Sequence, residues 1–439
     1  MSKADSRTAL QSVSSPVYFV DGARTPFLKA RGKPGPFSAS DLAVRAGRQL
    51  LSRQPFDKTE IDEVILGCAM PSADEANIAR VVALRLGCGH SVPAFTVMRN
   101  CASAMQAIDS GAKNIALGRA DLVLAGGTES MSHAPILYND DMVEFLGDMN
   151  RARSAGAKLK AASSLRPGHF SPVVGLIRGL TDPVVGLNMG QTCEIIADRF
   201  GVTREAMDEY SVRSHLRLAA AYDDGRMGEV EAIFSPKGKV LDADDGLRRD
   251  SSVKKLGTLK PAFDRHVGLV TPGNSSQITD GATLLIMASE AAVERYNLPV
   301  LGKLVDAHWA ALDPAEMGLG PVHAATPLLR RHGLGLNDID NWEINEAFAG
   351  QVLACTAAWQ DDSYCRGQLG LDGALGELDD ERLNIDGGAI AVGHPVGTSG
   401  ARIVLHSLKA LEQSGGRLGM AAICIGGGQG GAMLLERVN

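Results

Sequence analysis

Only 5% of the 439 residues are aromatic, and no apolar run reaches the roughly 18–20 residues that a membrane-spanning helix needs. The chain has no CxxC, HxxxH or HExxH spacing and no P-loop, so neither a common metal site nor a phosphate cradle of that kind is encoded. Basic residues are in deficit, 44 Lys and Arg against 51 Asp and Glu, and a net charge of −7 argues against a general nucleic-acid binder. The first fifteen residues lack the apolar core of a signal peptide, and Asp5 among their basic residues poorly fits an acid-poor transit peptide. Seven cysteines, an odd number without regular spacing, suggest reduced thiols. Together these absences point to a soluble protein of a cytoplasm-like compartment. What is present is an ordinary globular composition, 45% hydrophobic and 22% charged, long enough for two or three domains at roughly 100–200 residues each. Fifty glycines suggest tight turns and close backbone approaches.

Two parts of the chain echo each other. VYFVD (17–21), IDEVILGCA (61–69), a helical pattern after Cys101 and DLVLAGG (121–127) are matched by LGKLVD (301–306), IDNWEINEA (339–347), a helical pattern after Thr398 and MAAICIGGG (420–428). The offsets are similar but unequal, as an old duplication with loop insertions would leave them; the polar, Gly-rich stretch 361–384 is one such insertion. In the second half ICIGGG runs directly into GAMLLERV, whereas in the first half the matching GATLLIMAS begins only at Gly281. The pattern predicts two α/β halves, with strands in a mixed or parallel sheet covered by helices and a long excursion inserted in the first. The expected boundaries are 1–129 completed by 280–298, an inserted loop domain at 130–279, and a second half at 299–439. Within the insertion, 149–180 carries Arg151, Arg153, Lys158, Lys160, Arg166 and Arg178 and no acid. That segment suits an anionic partner or surface, or simply a solvated face.

Candidate chemistry begins at Cys101. Phe95–Met98 reads as a strand, and Ala102, Met105, Ile108, Ala112 and Ile115 recur at helical spacing, so Cys101 sits at a strand-to-helix turn. Free N–H groups and the helix dipole there would stabilise a thiolate and lower its pKa from about 8.5; a buried structural cysteine fits the same position. His394 lies in the glycine-rich GGAIAVGHPVGTSGAR, just before the second-half helix. If the halves pack about a pseudo-twofold axis, His394 approaches Cys101, and a neutral imidazole can take a thiol proton. ICIGGGQGG (423–431) formally contains GxGxxG, but a strand rather than a helix follows, so the dinucleotide reading fails. What remains is a glycine turn with exposed N–H groups beside Cys424, suited to an oxyanion hole. Asn345, after a short strand, could cap a helix or anchor a water. TPGNSSQITDG (271–281) could be no more than a turn.

Taken together and in order, RNCAS around Cys101, GGTESMS (126–132), GNSSQITDGA (273–282), NEAFA (345–349), GHPVGTSGAR (393–402) and CIGGGQG (424–430) resemble the thiolase family of acyl-CoA acyltransferases. That resemblance implies two similar α/β/α halves with a loop domain inserted in the first. It implies that Cys101 attacks a 3-ketoacyl-CoA and holds the acyl group as a thioester. His394 would deprotonate Cys101 and help stabilise the first oxyanion, together with a water held by Asn345. Cys424 would exchange a proton with C2 of the leaving acetyl-CoA, and the N–H groups of Cys101 and Gly426 would form the second oxyanion hole. Ser276 would touch the pantetheine, and Met189 would line the substrate pocket. No cofactor is implied beyond coenzyme A and its thioesters, which are substrates; a homodimer or homotetramer is implied.

The chain also departs from the family pattern. Asn188-Met189-Gly190 stands where many biosynthetic thiolases have His-Met-Gly, and Ala104 where a glycine is common. The basic insertion and the 361–384 stretch look more like the β subunit of the trifunctional β-oxidation complex. This favours degradative thiolysis and leaves room for a hydratase/dehydrogenase α subunit as partner. The alternatives are a biosynthetic acetoacetyl-CoA thiolase and a non-catalytic acyl-CoA or lipid-binding member of the fold. A β-ketoacyl synthase would need two histidines beside its cysteine, and a hydroxymethylglutaryl-CoA synthase a catalytic carboxylate; neither motif is present.

Overall fold

A computed structural model describes residues 15–438. Residues 1–14, nearly all of the stretch read for a leader, lie outside the described residues. Nine strands carry the central sheet: β1 (Val17–Arg24), β2 (Glu63–Gly67), β3 (Ala94–Val97), β4 (Leu122–Ser130), β5 (Thr279–Ser289), β6 (Gly302–Ala311), β7 (Asn341–Ile344), β8 (Leu418–Ile425) and β9 (Gln429–Glu436). A two-residue strand, Leu28–Lys29, adds to β5. The order is β3-β2-β4-β5-β1-β6-β9-β8-β7.

The pairing repeats across the middle of the sheet. β2 and β4 are parallel, β4 and β5 antiparallel, β5 and β1 antiparallel. On the other side β7 and β8 are parallel, β8 and β9 antiparallel, β9 and β6 antiparallel. The two sets meet where Tyr18 and Phe19 of β1 pair with Lys303 and Gly302 of β6. β3 has a vestigial counterpart at Leu383, which bridges in parallel to Trp342.

Strand alternation distributes the side chains into three layers. Along β4, Leu122 and Leu124 point into a core shared with the helices Ala39–Ser52 and Ile78–Leu86. Val123 and Ala125 point the other way, into a core shared with Ala421, Ile423 and Ile425 of β8. Trp342, Ile344, Met420 and Ala422 face the helices Gly320–His332 and Ala349–Gln360. The middle core is filled by two helices, Ser103–Ala116 and Ser399–Ser414. Met105, Ile108, Val404 and Leu408 are fully buried there, each worth roughly 1.5–3 kcal/mol.

Small residues let those two helices approach closely. A Cβ on Gly400 would lie 2.7 Å from both the Cβ and the backbone N of Met105. Ala104 is accommodated in the same way: a Cβ on Gly127 would meet its methyl at 2.7 Å, and one on Gly67 its backbone N at 2.3 Å. Both helices begin at the same end of the middle layer, so the loops carrying Cys101 and His394 meet.

Residues 131–278 connect β4 to β5, which are hydrogen-bonded neighbours. This connection spans both halves: from the helix Arg204–Asp223, Tyr210 and Ser214 donate to Glu346 of the second half at 3.0 and 2.7 Å. The 361–384 stretch is not a bare loop; it contains the helix Asp362–Gln368, with Tyr364 and Cys365 buried. No helix among the described residues is long and apolar enough to cross a membrane.

Candidate active site

A cavity of about 400 Å³ opens at the ends of the two middle-layer helices. Its walls bring together Cys101, His394, Cys424, Ser276 and Met189 with apolar side chains from Met131, Leu180, Phe263, Met317 and Phe348.

Cys101 lies between β3 and the helix that starts at Ser103 and is partly exposed. Its thiol does not behave as the strand-to-helix position alone predicts. Burial pushes it up to about 11, against the pull of the backbone N–H groups of Gly426 and of Cys101 itself. Desolvation therefore outweighs the helix terminus, and the Cys101 thiol is protonated at physiological pH.

His394 lines the same cavity. Its loop is pinned by His394 N–H donating to Gln277 O at 3.0 Å and by Thr398 Oγ1 donating to Gly127 O at 2.8 Å. Ser399 Oγ donates to Pro395 O at 3.1 Å, which leaves it an acceptor toward His394 Nδ1 at 2.6 Å. That bonding pattern assigns the ring proton to Nδ1, which leaves Nε2, without a protein partner, carrying the lone pair. Burial, with the Arg402 charge nearby, lowers the imidazole to about 3, so it is neutral at physiological pH.

Cys424 is the penultimate residue of β8, is buried, and is raised well above the ordinary thiol range by burial, with Cys101 as the next cause. Asn345 follows β7 but caps nothing: the helix after it begins at Ala349, with Phe348 at the N-cap. Its backbone is fixed by N–H donation to Ala422 O at 3.0 Å, while its side-chain Oδ1 and Nδ2, fully buried, have no protein partner. A buried amide left this way fits a bound water, because an unpaired buried polar group is otherwise costly. Gly426 opens the turn between β8 and β9, where Gly427 and Gly428 take φ of 91° and 71° that glycine adopts without strain. β9 follows that turn as a strand, as the rejection of a dinucleotide fingerprint requires.

The loop holding Ser276 is more than a turn. Ser276 N–H donates to Ala347 O and Ala349 N–H to Asn274 O, both at 2.9 Å, which ties it to the NEAFA segment. Asn188 is the N-cap of the helix Met189–Arg199, in a reciprocal capping box with Gln191 at 3.0 Å each way. Asn188, expected above as a departure from the family pattern, thus has a local structural task.

Three further residues shape the site; each lies inside a motif quoted above, but the motif does not give it a task. Ser399 orients His394. Glu129, buried within GGTESMS, accepts from Ala69 N–H, Met70 N–H and Gly397 N–H at 2.8, 3.1 and 3.0 Å, joining the first half to the His394 loop. Asn100 donates through Nδ2 to Gly426 O at 2.8 Å, 326 residues away. Among the described residues no group of three or more His, Cys, Asp or Glu is arranged to hold a metal.

Known proteins resemble this chain in sequence and in overall fold. Residues 17–291 match the model of the thiolase N-terminal domain and residues 298–437 that of the thiolase C-terminal domain. A 3-ketoacyl-CoA thiolase of Pectobacterium atrosepticum is 37% identical over 423 residues, 96% of each chain. The crystal structure of human mitochondrial 3-ketoacyl-CoA thiolase superimposes with a TM-score of 0.83 at 34% identity, covering 98% of this chain and 100% of that one. The same human enzyme in complex with CoA gives 0.82 at 35% identity, covering 97% and 99%. The chain belongs to the thiolase family.

Proposed function

We propose that this chain is a 3-ketoacyl-CoA thiolase, cleaving its substrate with CoA to acetyl-CoA and an acyl-CoA two carbons shorter. The observation that carries the reading is one cavity wall bearing two thiols and a neutral imidazole whose free nitrogen has no protein partner.

The residues divide the work as follows. His394 Nε2 takes the Cys101 proton, and the sulfur bonds to the C3 carbonyl carbon. The N–H groups of Cys101 and Gly426, which already act on the sulfur, hold the oxygen of the carbonyl bonded to it. The C2–C3 bond breaks, its electrons pass into the enolate of acetyl-CoA, and Cys424 gives its proton to C2. Protonated His394, with a water held by Asn345, supports the enolate oxygen. CoA then enters, Cys424 takes its thiol proton, and the CoA sulfur displaces Cys101, which recovers a proton from His394. Splitting the transfer through a thioester replaces one hard step with two easier ones, and each oxyanion donor is worth on the order of 2.7–4 kcal/mol.

The substrate class follows from the walls. Met131, Met189 and Met317 are adaptable apolar side chains, and with Phe263 and Phe348 they suit a medium or long acyl chain in fatty-acid β-oxidation. Ser276 at the cavity wall touches the pantetheine arm. Beyond CoA and its thioesters the chemistry needs no cofactor.

The quaternary reading is a homo-oligomer. β3 is an edge strand of the sheet, and Phe95 within it is 38% and Met98 just after it 69% exposed, a surface suited to a second copy. In the inserted segment Leu159, Leu165, Phe170 and Ile177 are exposed among the basic residues of 149–180. That face suits a hydratase/dehydrogenase subunit, and its binding weakens in high salt. Seven unpaired cysteines support a cytoplasmic setting. The test is thiolysis of 3-ketoacyl-CoAs from short to long chain: CoA-dependent loss of the 3-keto thioester, fastest for the longer chains, is expected. Absence of loss at every length contradicts the reading.

A further inference from the structure

We propose that Asn100 is a positioning residue that sets the oxyanion hole of the acyl-transfer step by clamping the Gly426 turn against Cys101. The inference rests on the thiolase reading above and extends it to a residue with no assigned part in the reaction.

Asn100 directly precedes Cys101 and has φ of 44°. Asparagine tolerates that left-handed conformation better than most residues. Its backbone is held in place, its carbonyl accepting from Ser103 Oγ at 2.7 Å and from Ser103 N–H at 3.1 Å. From this fixed base the side chain reaches across to the other half, where Nδ2 donates to Gly426 O at 2.8 Å.

The far end of that bond needs an anchor. Gly426, Gly427 and Gly428 are three consecutive glycines, the last two at positive φ, and this is where the chain has most freedom to rotate a peptide plane. The turn is tied on its outer side, where Leu312 N–H donates to Gly428 O at 2.8 Å. Asn100 ties its inner side. One residue thus fixes both donors: its own peptide leads into the Cys101 N–H, and its amide holds the residue that supplies the Gly426 N–H. A donor displaced by about 1 Å can cost 10²-fold in rate.

Two variants separate the clamp from the backbone conformation. Asn100→Gly keeps the positive φ and removes the amide. Asn100→Asp keeps size and shape but puts an acceptor against Gly426 O. Acylation of Cys101 by a 3-ketoacyl-CoA is followed in a single turnover by mass, with Kd for free CoA and the thermal midpoint measured alongside. The expected result is acylation slowed about 10- to 100-fold in both variants, with Kd for CoA within about two-fold of the parent, because binding is left intact and a transition-state donor is lost. If Asn100→Gly destabilises the fold, Asn100→Asp alone decides. Parent-like acylation in either folded variant overturns the clamp and leaves the thiolase reading standing. Failure of the parent chain to acylate Cys101 overturns both.

Discussion

His394 presents Nδ1 to Ser399 Oγ at 2.6 Å, and with Ser399 accepting, this contact leaves Nε2 as the proposed base. Ser399→Ala removes the acceptor and leaves a buried N–H unpaired. The imidazole then loses its fixed tautomer. A fall in kcat of at least 10-fold with KM little changed is expected, since a positioned general base contributes typically 10²–10⁴-fold. Steady-state kinetics check it, and an unchanged kcat would show that the tautomer is held by other contacts.

The proposed mechanism gives the two thiols separable tasks. Cys424→Ala removes the group that exchanges a proton with C2 but leaves the nucleophile and its base. Exchange of the acetyl-CoA methyl hydrogens in heavy water should fall by about 10³-fold, within the range of general acid–base catalysis. Acyl transfer from a simple acyl-CoA to Cys101 should persist. Mass analysis of both reactions in one sample distinguishes the roles, and exchange surviving in the variant would reassign the base.

Packing sets the distance between the halves. Gly400→Ala adds a Cβ 2.7 Å from the Met105 backbone N, which cannot yield as a flexible side-chain end would. Alanine gains about 1 kcal/mol of helix propensity, but overpacking costs about 1–3 kcal/mol and forces the helices apart. The variant is expected to melt slightly lower and to lose far more activity than stability, because His394 moves away from Cys101. Chemical denaturation and kcat measured together test this.

Glu129 gives stability a particular pH dependence. Burial, opposed by the Ala69 and Met70 N–H groups, raises its carboxyl from 4.5 to about 7. The folded chain holds a proton there that the unfolded chain releases, so this group adds stability as pH falls from 7 toward 4.5, by about 3 kcal/mol in full. That contribution is lost as pH rises through 7. Asp280 and Glu343 are raised in the same direction, so the readout is the difference between the parent chain and Glu129→Gln. Urea midpoints across pH 4.5–8 should fall more steeply with rising pH in the parent than in the variant.

Much of this architecture is written in local pattern. Strands such as DLVLAGG and the helix after Cys101 follow from periodicity, and unequal spacing between matching segments marks where the chain leaves the sheet. The pairing of β4 with β5, Gly281 opposite Glu129, is a relationship the duplicated strand pattern anticipates. The acidity of Cys101 could not be read the same way. Helix position argues for a low pKa, and only the surrounding cavity shows that burial wins. Asn100, Ser399 and Glu129 were hidden for a related reason: each acts through partners that the sequence does not mark. Asn100 stands within RNCAS, but the motif does not show its partner, and its bond to Gly426 exists only once the halves have folded together.

The central claim is that Cys101 carries the acyl group. Intact-protein mass after mixing with a 3-ketoacyl-CoA, followed by peptide mapping, measures it directly. The account predicts an added acyl mass on the Cys101 peptide that free CoA removes and that Cys101→Ala abolishes. Turnover retained in Cys101→Ala, or an adduct confined to another cysteine, would contradict it.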